Sequence, residues 1–515
     1  VDLGRAVGEA LERLSREPGV REVQVFAALN RALLARLNYT SHIACNGVEE
    51  PKSTEMSGLG VHAVFDGPAG RPLVGYGSEP SDLSLEGARR ALAKARQAAV
   101  HDPAFHSLPR PTGEARTLAA YHDPRLMALS DAELVESGWT VIAGALRAFM
   151  ASSRLADLAG DEAGLNRLGL ILGGDVMIRQ EHIAVASTAM PEPQVDDAAF
   201  MTASTTAMVE ARDAKGSGFS VCTRLQDFTD EAGSEAASNA VAAIDGLRVP
   251  SGDYTVIFGP QPVADLCNNL IVPACQAGSF ISSSSPFLGR LGQPVAAPGL
   301  SLYDHGAMPG LAGSRGITCE GLPTGRTDLI KDGVLVGLLS HWYDTERLRH
   351  DPDGRRKLGV DPAAARAALV PRNGFRYDGS GRSFETTPGT SATNVVLEGR
   401  DPVSLGELLA RVRDGLYVGR IWYTYPINGL RAGDFTCTVV GDSFIIRDGR
   451  LVAPLKANTL RINDNVTRLL GAVLGTTKDA RGTLVWGADE IVYAPAIAVG
   501  GVHVDAIAGF MEGLD

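Results

Sequence analysis

The sequence predicts an α/β protein of mixed α+β type, made of two domains with a strand-rich C-terminal half. Three observations predict it. Helical periodicity and strand-like runs alternate through the first half; the helix-like segment DEAGSEAASNAVAAIDGL precedes a new strand; beyond it the chain turns to extended runs joined at glycines. The predicted domains are residues 1–235, α/β in character, and 236–515, rich in β-structure. With 515 residues, 44% of them hydrophobic, the chain can bury a sizeable core and has the length for two domains.

Each element has a local reason. VDLGRAVGEALERL carries an amphipathic pattern that predicts a helix over about residues 2 to 17, with charges throughout, unlike a signal peptide. REVQVFAAL and GVHAVFDGPAGRPLVGYG follow as extended segments, the second folded at DGPAG into a hairpin. LEGARRALAKARQAAV reads as a strong helix, HDPAFHSLPRPTGEAR as a polar surface stretch, and residues near 130 to 150 as another helix. Three strand-like runs come next, LGLILGG, DVMIRQEHIAVAS and TASTTAMVEARD. In the second half, LIKDGVLVGLL and FIIRDGRLVAPL are each two strands joined at Asp-Gly. The stretch from His350 to Thr393, dense in Arg, Asp, Gly and Pro, is expected as an exposed excursion with one short helix at PAAARAALV.

Composition narrows the partners. A formal charge of −12, from 48 Lys+Arg against 60 Asp+Glu, offers no electrostatic footprint for nucleic acid and no polybasic segment for an anionic membrane. No apolar run reaches the span of about 18 residues that a membrane helix needs. A cytoplasmic location is therefore the expectation, with peptides, small molecules or other subunits as partners. Cys45, Cys222, Cys267, Cys275, Cys319 and Cys437 are scattered without CxxC pairs and read as reduced, mostly buried thiols.

No GxSxG elbow, phosphate loop, GxGxxG fingerprint or HExxH helix is present. His101 with His106 and His341 with His350 are too widely spaced to face one metal from one helix. Ser282 to Ser285 lack an adjacent base and read as a polar turn, and His182 reads as a strand histidine. His305 beside Asp304, ahead of a glycine-rich loop, is the better pocket candidate. SRGITCEGLPTGRTDLIKDG and YTYPINGLRAGDFTCTVVGD read structurally as hairpin scaffolding, and functionally as the rim of a groove that takes up an extended peptide.

Those last stretches carry a resemblance. DHGAMPGLAGSRGITCEGLPTGRTDLIKDGVLVGLLSHWYDTERL followed by YTYPINGLRAGDFTCTVVGDSFIIRDGRLVAPLKANTL resembles the second half of the TldD/PmbA family, and GLGVHAVFDGPAG extends the likeness into the first half. The resemblance implies a two-domain fold whose subunits pair around an enclosed chamber. In the TldD type, a HExxxH helix and a later cysteine hold a zinc-like metal, the glutamate acts as general base, and the complex cleaves small or unfolded peptides and peptide precursors. The TldE/PmbA type lacks those ligands and serves as partner chain. The equivalent helix here, after the strand YTVIFG, is PVADLCNNLIVPA, without histidine or glutamate, and no cysteine follows Cys437. Asp265 and Cys267, two apart on a helix, point about 200° away from each other.

The expectation is therefore a TldE/PmbA-like subunit with no metal or cofactor of its own, paired with a metal-bearing TldD-like chain as a hetero- or homodimer and acting on peptides. Two alternatives stay open. One is an autonomous hydrolase of a modified peptide or amide, with Asp304, His305 or Glu320 in acid-base roles. The other is a non-catalytic homodimeric peptide-binding protein. Arg431 and Asp434 are the candidate substrate-binding residues.

Overall fold

A computed structural model describes residues 2–42, 47–49 and 51–507; Cys45 lies outside the described residues. Helix α1 (Leu3–Leu14) is capped by Asp2, whose side chain accepts the Arg5 N–H. Three strands are far longer than is usual: β1 (Val20–Thr40), β4 (Leu170–Ser187) and β5 (Met190–Val209). With β2 (Lys52–Phe65), β3 (Leu73–Pro80) and β6 (Ala214–Cys222) they form an antiparallel sheet in the order β3-β2-β1-β4-β5-β6, and Gly47–Val48 adds to β1.

The length of β1 follows from what it covers. Residues on its odd-numbered face serve two separate cores. Val23, Val25 and Ala27 pack under α1 and α2 (Leu85–Gln97), whereas Leu33, Ala35 and Leu37 pack under α3 (Asp131–Met150) and α4 (Glu231–Ala242). Its even-numbered face, with Phe26, Ala28 and Asn30, turns to the C-terminal half of the chain: Phe26 and Ala28 pack with Ile317, Cys319, Phe375 and Phe384, and Asn30 Nδ2 donates to Arg382 O at 2.7 Å. This is the period-two division of a strand, used on both faces at once.

The C-terminal half holds a nine-stranded and a six-stranded sheet around the largest core. Strand β7 (Gly252–Phe258) lies at the centre of the larger one, antiparallel to Ile497–Ala506 and parallel to Gly415–Val418. Strand β8 (Leu300–His305) sits inside the smaller sheet, and β9 (Arg420–Pro426) on an edge of the larger. The mixture of parallel and antiparallel pairs agrees with the α+β reading. The hairpins at DGPAG, LIKDGVLV and FIIRDGRLVAP form as expected.

Three expectations are corrected. LGLILGG and DVMIRQEHIAVAS are one continuous strand, β4, because Gly174 takes a φ of 145° within the ladder, where a Cβ would meet Ser204 O at 2.2 Å. PAAARAALV forms only a 3-10 turn at Arg366–Ala368, and the helix of this region lies earlier, at Gly354–Leu358. The 350–393 stretch is not exposed throughout. Asn373, Phe375, Arg376, Arg382 and Phe384 are buried, because this stretch packs on the polar face of the N-terminal sheet.

Candidate binding cleft

The polar face of the seven-stranded sheet and the C-terminal half enclose a cavity of about 500 Å³. Arg179, Thr202 and Phe219 reach it from the sheet, and Gln261, Arg420 and Trp422 from the opposite wall. The loop 484–489 adds Trp486 and Asp489, and the turn after Tyr377 adds Asp378.

Behind the cavity the two walls are joined by buried charge. Glu181 of β4 pairs with Arg382 Nε at 2.7 Å and Arg315 Nε at 2.9 Å. Asp196 of β5 accepts from Arg382 Nη1 at 2.8 Å, Arg116 Nη2 at 2.6 Å and the Tyr121 hydroxyl at 3.0 Å. Burial pushes the Glu181 carboxyl up, but the guanidiniums of Arg315, Arg382 and Arg179 outweigh it and hold the group below its ordinary range.

Two arginines differ in a way that matters. Arg179, buried in β4, has an acid partner, Asp489 Oδ1 at 3.1 Å, and its Nε has no acceptor. Arg420 donates through Nη1 to Thr206 Oγ1 at 3.0 Å, has a buried Nε with no acceptor, and meets no carboxylate at ion-pair distance among the described residues. Burial pulls its pKa below the ordinary value, against the attraction of Asp442. Its guanidinium carbon lies 5.8 Å from the ring centroids of both Phe219 and Trp422. Trp422 in turn sits 6.2 Å from Trp486, an indole that is 82% exposed. Asp378 spends Oδ1 on the Ser380 N–H and hydroxyl and leaves Oδ2 buried without a donor.

The strand-to-helix junction at YTVIFGPQPVADL borders this cavity. Helix α5 (Pro260–Leu266) continues through a wide π turn at Cys267–Ile271. Gln261 Oε1 accepts the Ile421 N–H at 3.0 Å, tying the helix to β9. Asp265, one turn on, accepts from Gln261 Nε2 at 3.4 Å and Asn269 Nδ2 at 3.2 Å, and burial pushes its carboxyl up to about 6. Cys267 is turned into the core, away from Asp265, and burial pushes its thiol up to about 12. Among the described residues no three His, Cys, Asp or Glu side chains are grouped to hold a metal. One hydrogen-bonded carboxyl among amides does not fit a zinc-type ion, which takes imidazole, thiolate or several carboxylates.

The residues singled out in the sequence fall in three places, none lining this cavity. Asp304 and His305 end β8 together. The Asp304 carboxylate accepts from the Thr393 N–H at 2.7 Å and Asn373 Nδ2 at 2.7 Å, and burial pushes it up to about 6. The His305 Nδ1 is buried without a partner, and burial lowers its pKa, helped by Arg326 and Arg372. Glu320 lies in a second cavity, of about 220 Å³, with His62, Asp102 and His341. Arg431 is exposed on a 3-10 turn, its Nη1 at 3.5 Å from Ser283 O, and Asp434 accepts from Asn428 Nδ2 and Asn465 Nδ2 at 3.0 and 2.9 Å. His182 is a strand residue paired with Asp197, and Ser285 bonds Ala274 O within a turn.

Residues 251–506 match the PmbA/TldA metallopeptidase C-terminal domain, the half that contains helix α5 and β9. The chain belongs to the TldD/PmbA family. Among curated relatives, a metalloprotease of Synechocystis sp. is 27% identical over 246 residues, covering 47% of this chain and 46% of the relative. A metalloprotease of Methanothermobacter thermautotrophicus is 24% identical over 271 residues, 51% of each chain. The chain thus matches about half the length of these relatives. The fold likeness is wider. TldE from Thermococcus kodakarensis superposes with a TM-score of 0.75 at 19% identity, over 96% of this chain and 100% of that one. A Thermotoga maritima protein described as a modulator of a DNA gyrase gives 0.71 at 19%, over 97% and 99%.

Within this TldD/PmbA fold, the residues that sequence reasoning passed over are Arg179, Arg420, Trp422 and Trp486. A signal for the first existed. In DVMIRQEHIAVAS, Asp175, Arg179 and Glu181 share one face of the strand while Val176, Ile178 and Ala184 share the other, a charged stripe on a strand with an apolar back.

Proposed function

We propose that this chain is the non-metal subunit of a two-chain TldD/TldE-type peptidase, completing a chamber in which a metal-bearing partner cleaves small or unfolded peptides. The observation that carries the reading is helix α5. The helix borders a roomy cleft, yet its polar side chains, Gln261, Asp265 and Asn269, are spent on one another and on the backbone of β9. With these groups committed to one another rather than open to a metal or a nucleophile, this reading assigns bond cleavage to the other chain. The fold likeness to TldE from Thermococcus kodakarensis and the sequence likeness to proteins named metalloprotease support a peptidase setting for the chain.

In this reading the chain contributes walls and orientation. Arg179 and Arg420 supply positive charge, Trp422, Trp486 and Phe219 apolar faces, and Thr202 and Ser204 hydroxyls, a mixture suited to a peptide rather than to a nucleic acid or lipid. Co-purification with a histidine-bearing TldD-type chain tests it. A stable complex that hydrolyses unfolded peptides, with neither chain active alone, is the expected result; two chains that never associate sink the proposal.

One observation favours the autonomous-hydrolase alternative. Glu320, with a carboxyl pushed up to about 8 by burial, shares its cavity with His62 and His341, whose pKa values burial lowers. Peptide or amide hydrolysis by the isolated chain, lost in Glu320→Gln, would select that alternative.

A further inference from the structure

We propose that the cleft binds the C-terminal carboxylate of a short peptide on Arg420, with the adjoining side chain laid against Trp422 and Trp486. The inference rests on the peptide-handling reading above and adds which end of the peptide is recognised, and by what.

Asp175 is matched by Arg36 at 3.0 Å, and Arg179 by Asp489 at 3.1 Å. Arg420 has only a hydroxyl, from Thr206. The nearest acid acting on it, Asp442, is spent on the backbone and hydroxyl of Ser217. A half-buried guanidinium with no carboxylate at ion-pair distance leaves donors open, and a planar, two-oxygen anion satisfies its fork best.

The surroundings specify more than an anion. Phe219 and Trp422 flank the guanidinium, and Trp486 leaves its indole open to solvent beside Trp422. A large exposed aromatic next to a partly buried one gives a C-terminal side chain an apolar surface. The 500 Å³ cavity lies within the ordinary range for small ligands and has room for a few residues of extended peptide. The Asp378 carboxyl, which lines the same cavity, disfavours a ligand with a second negative charge.

The test is calorimetric titration of the whole chain, without any partner, with N-acetyl-alanyl-phenylalanine and with its C-terminal amide. The acid is expected to bind at least about tenfold more tightly than the amide, the scale of one charge-assisted contact. Arg420→Gln brings the acid down to the level of the amide, while Arg420→Lys keeps part of the preference. Trp486→Ala, at an exposed position that does not threaten folding, weakens acid and amide alike. Equal binding of acid and amide by the unaltered chain overturns the proposal whether or not the variants fold, as does an Arg420→Gln protein that keeps the preference. A chain that prefers the acid but never pairs with a TldD-type partner leaves this inference standing and removes the subunit reading. A chain that pairs and supports hydrolysis without that preference does the reverse.

Discussion

Glu320→Gln separates burial from charge in a single measurement. The Glu320 side chain is buried, and its two oxygens share the Trp342 N–H at 3.0 and 3.2 Å, at the start of helix α6 (Trp342–Arg349). Burial pushes the carboxyl from 4.5 up to about 8; the Trp342 N–H and Arg376 oppose the rise and Asp344 adds to it. Because the folded-state value is the higher one, the native protein holds a proton that the unfolded chain releases. Stability therefore falls as pH rises from about 4.5 to about 8, by about 1.4 kcal/mol per unit in mid-range, or about 3.5 kcal/mol between pH 5 and pH 8. Glutamine keeps an acceptor for the Trp342 N–H, does not titrate, and brings an amide N–H group whose missing partner costs about 1–3 kcal/mol. The variant should thus be the less stable protein at pH 5 and equal to or more stable than the parent at pH 8. Urea unfolding followed by tryptophan fluorescence at both values reads the crossover. A gap between the two proteins that changes by less than about 1 kcal/mol over this range would show that the carboxyl is charged throughout, and would refute the reasoning.

Three further outcomes are expected. Glu181→Gln leaves the buried guanidiniums of Arg315 and Arg382 short of charge and should lower stability by about 3–5 kcal/mol, read as a fall in the urea midpoint; a change under about 1 kcal/mol would mean that the network is solvated. Gly218→Ala places a Cβ 1.9 Å from Ala232 O, so α4 must lift from the sheet at a cost of about 1–3 kcal/mol, measured by thermal unfolding; an unchanged midpoint would contradict the packing. Prolonged dialysis against a chelator should leave the urea midpoint of this chain alone unaltered while abolishing hydrolysis by its complex with a TldD-type chain. A midpoint that drops, and recovers on adding zinc, would place a metal in this subunit.

What the sequence made legible was local. Asp-Gly between alternating runs is enough for a hairpin, as at LIKDGVLV and FIIRDGRLVAP. The 373–384 stretch was illegible for the opposite reason. Its Arg and Asp residues look like a solvated loop until Arg382 meets Glu181 and Asp196, acids that stand nearly 200 positions earlier in the chain. The same holds for Asp304, whose place ahead of a glycine-rich loop suggested a pocket. Its oxygens instead close a joint between β8 and the 373–394 segment. The cleft residues were harder still, since Arg179 and Arg420 become neighbours of one cavity only when two halves of the chain face each other.

The contrast between α5 and Arg420 lies in which valences each leaves open. A side chain that binds a metal must keep its lone pairs free and pointed at one locus. Around α5 the reverse holds: Asp265 accepts hydrogen bonds from Gln261 and Asn269, and Gln261 Oε1 accepts one from the Ile421 N–H. Placing a metal there would need more than new side chains, since the Gln261 bond to Ile421 also fixes the helix against β9. Across the same cavity the Arg420 guanidinium keeps an unsatisfied donor and Asp378 Oδ2 an unsatisfied acceptor, so the open valence at Arg420 itself is anion-seeking. A cleft with that polarity can hold an acidic chain end without attacking it, which is the division of labour expected of a subunit that presents a peptide to chemistry carried elsewhere.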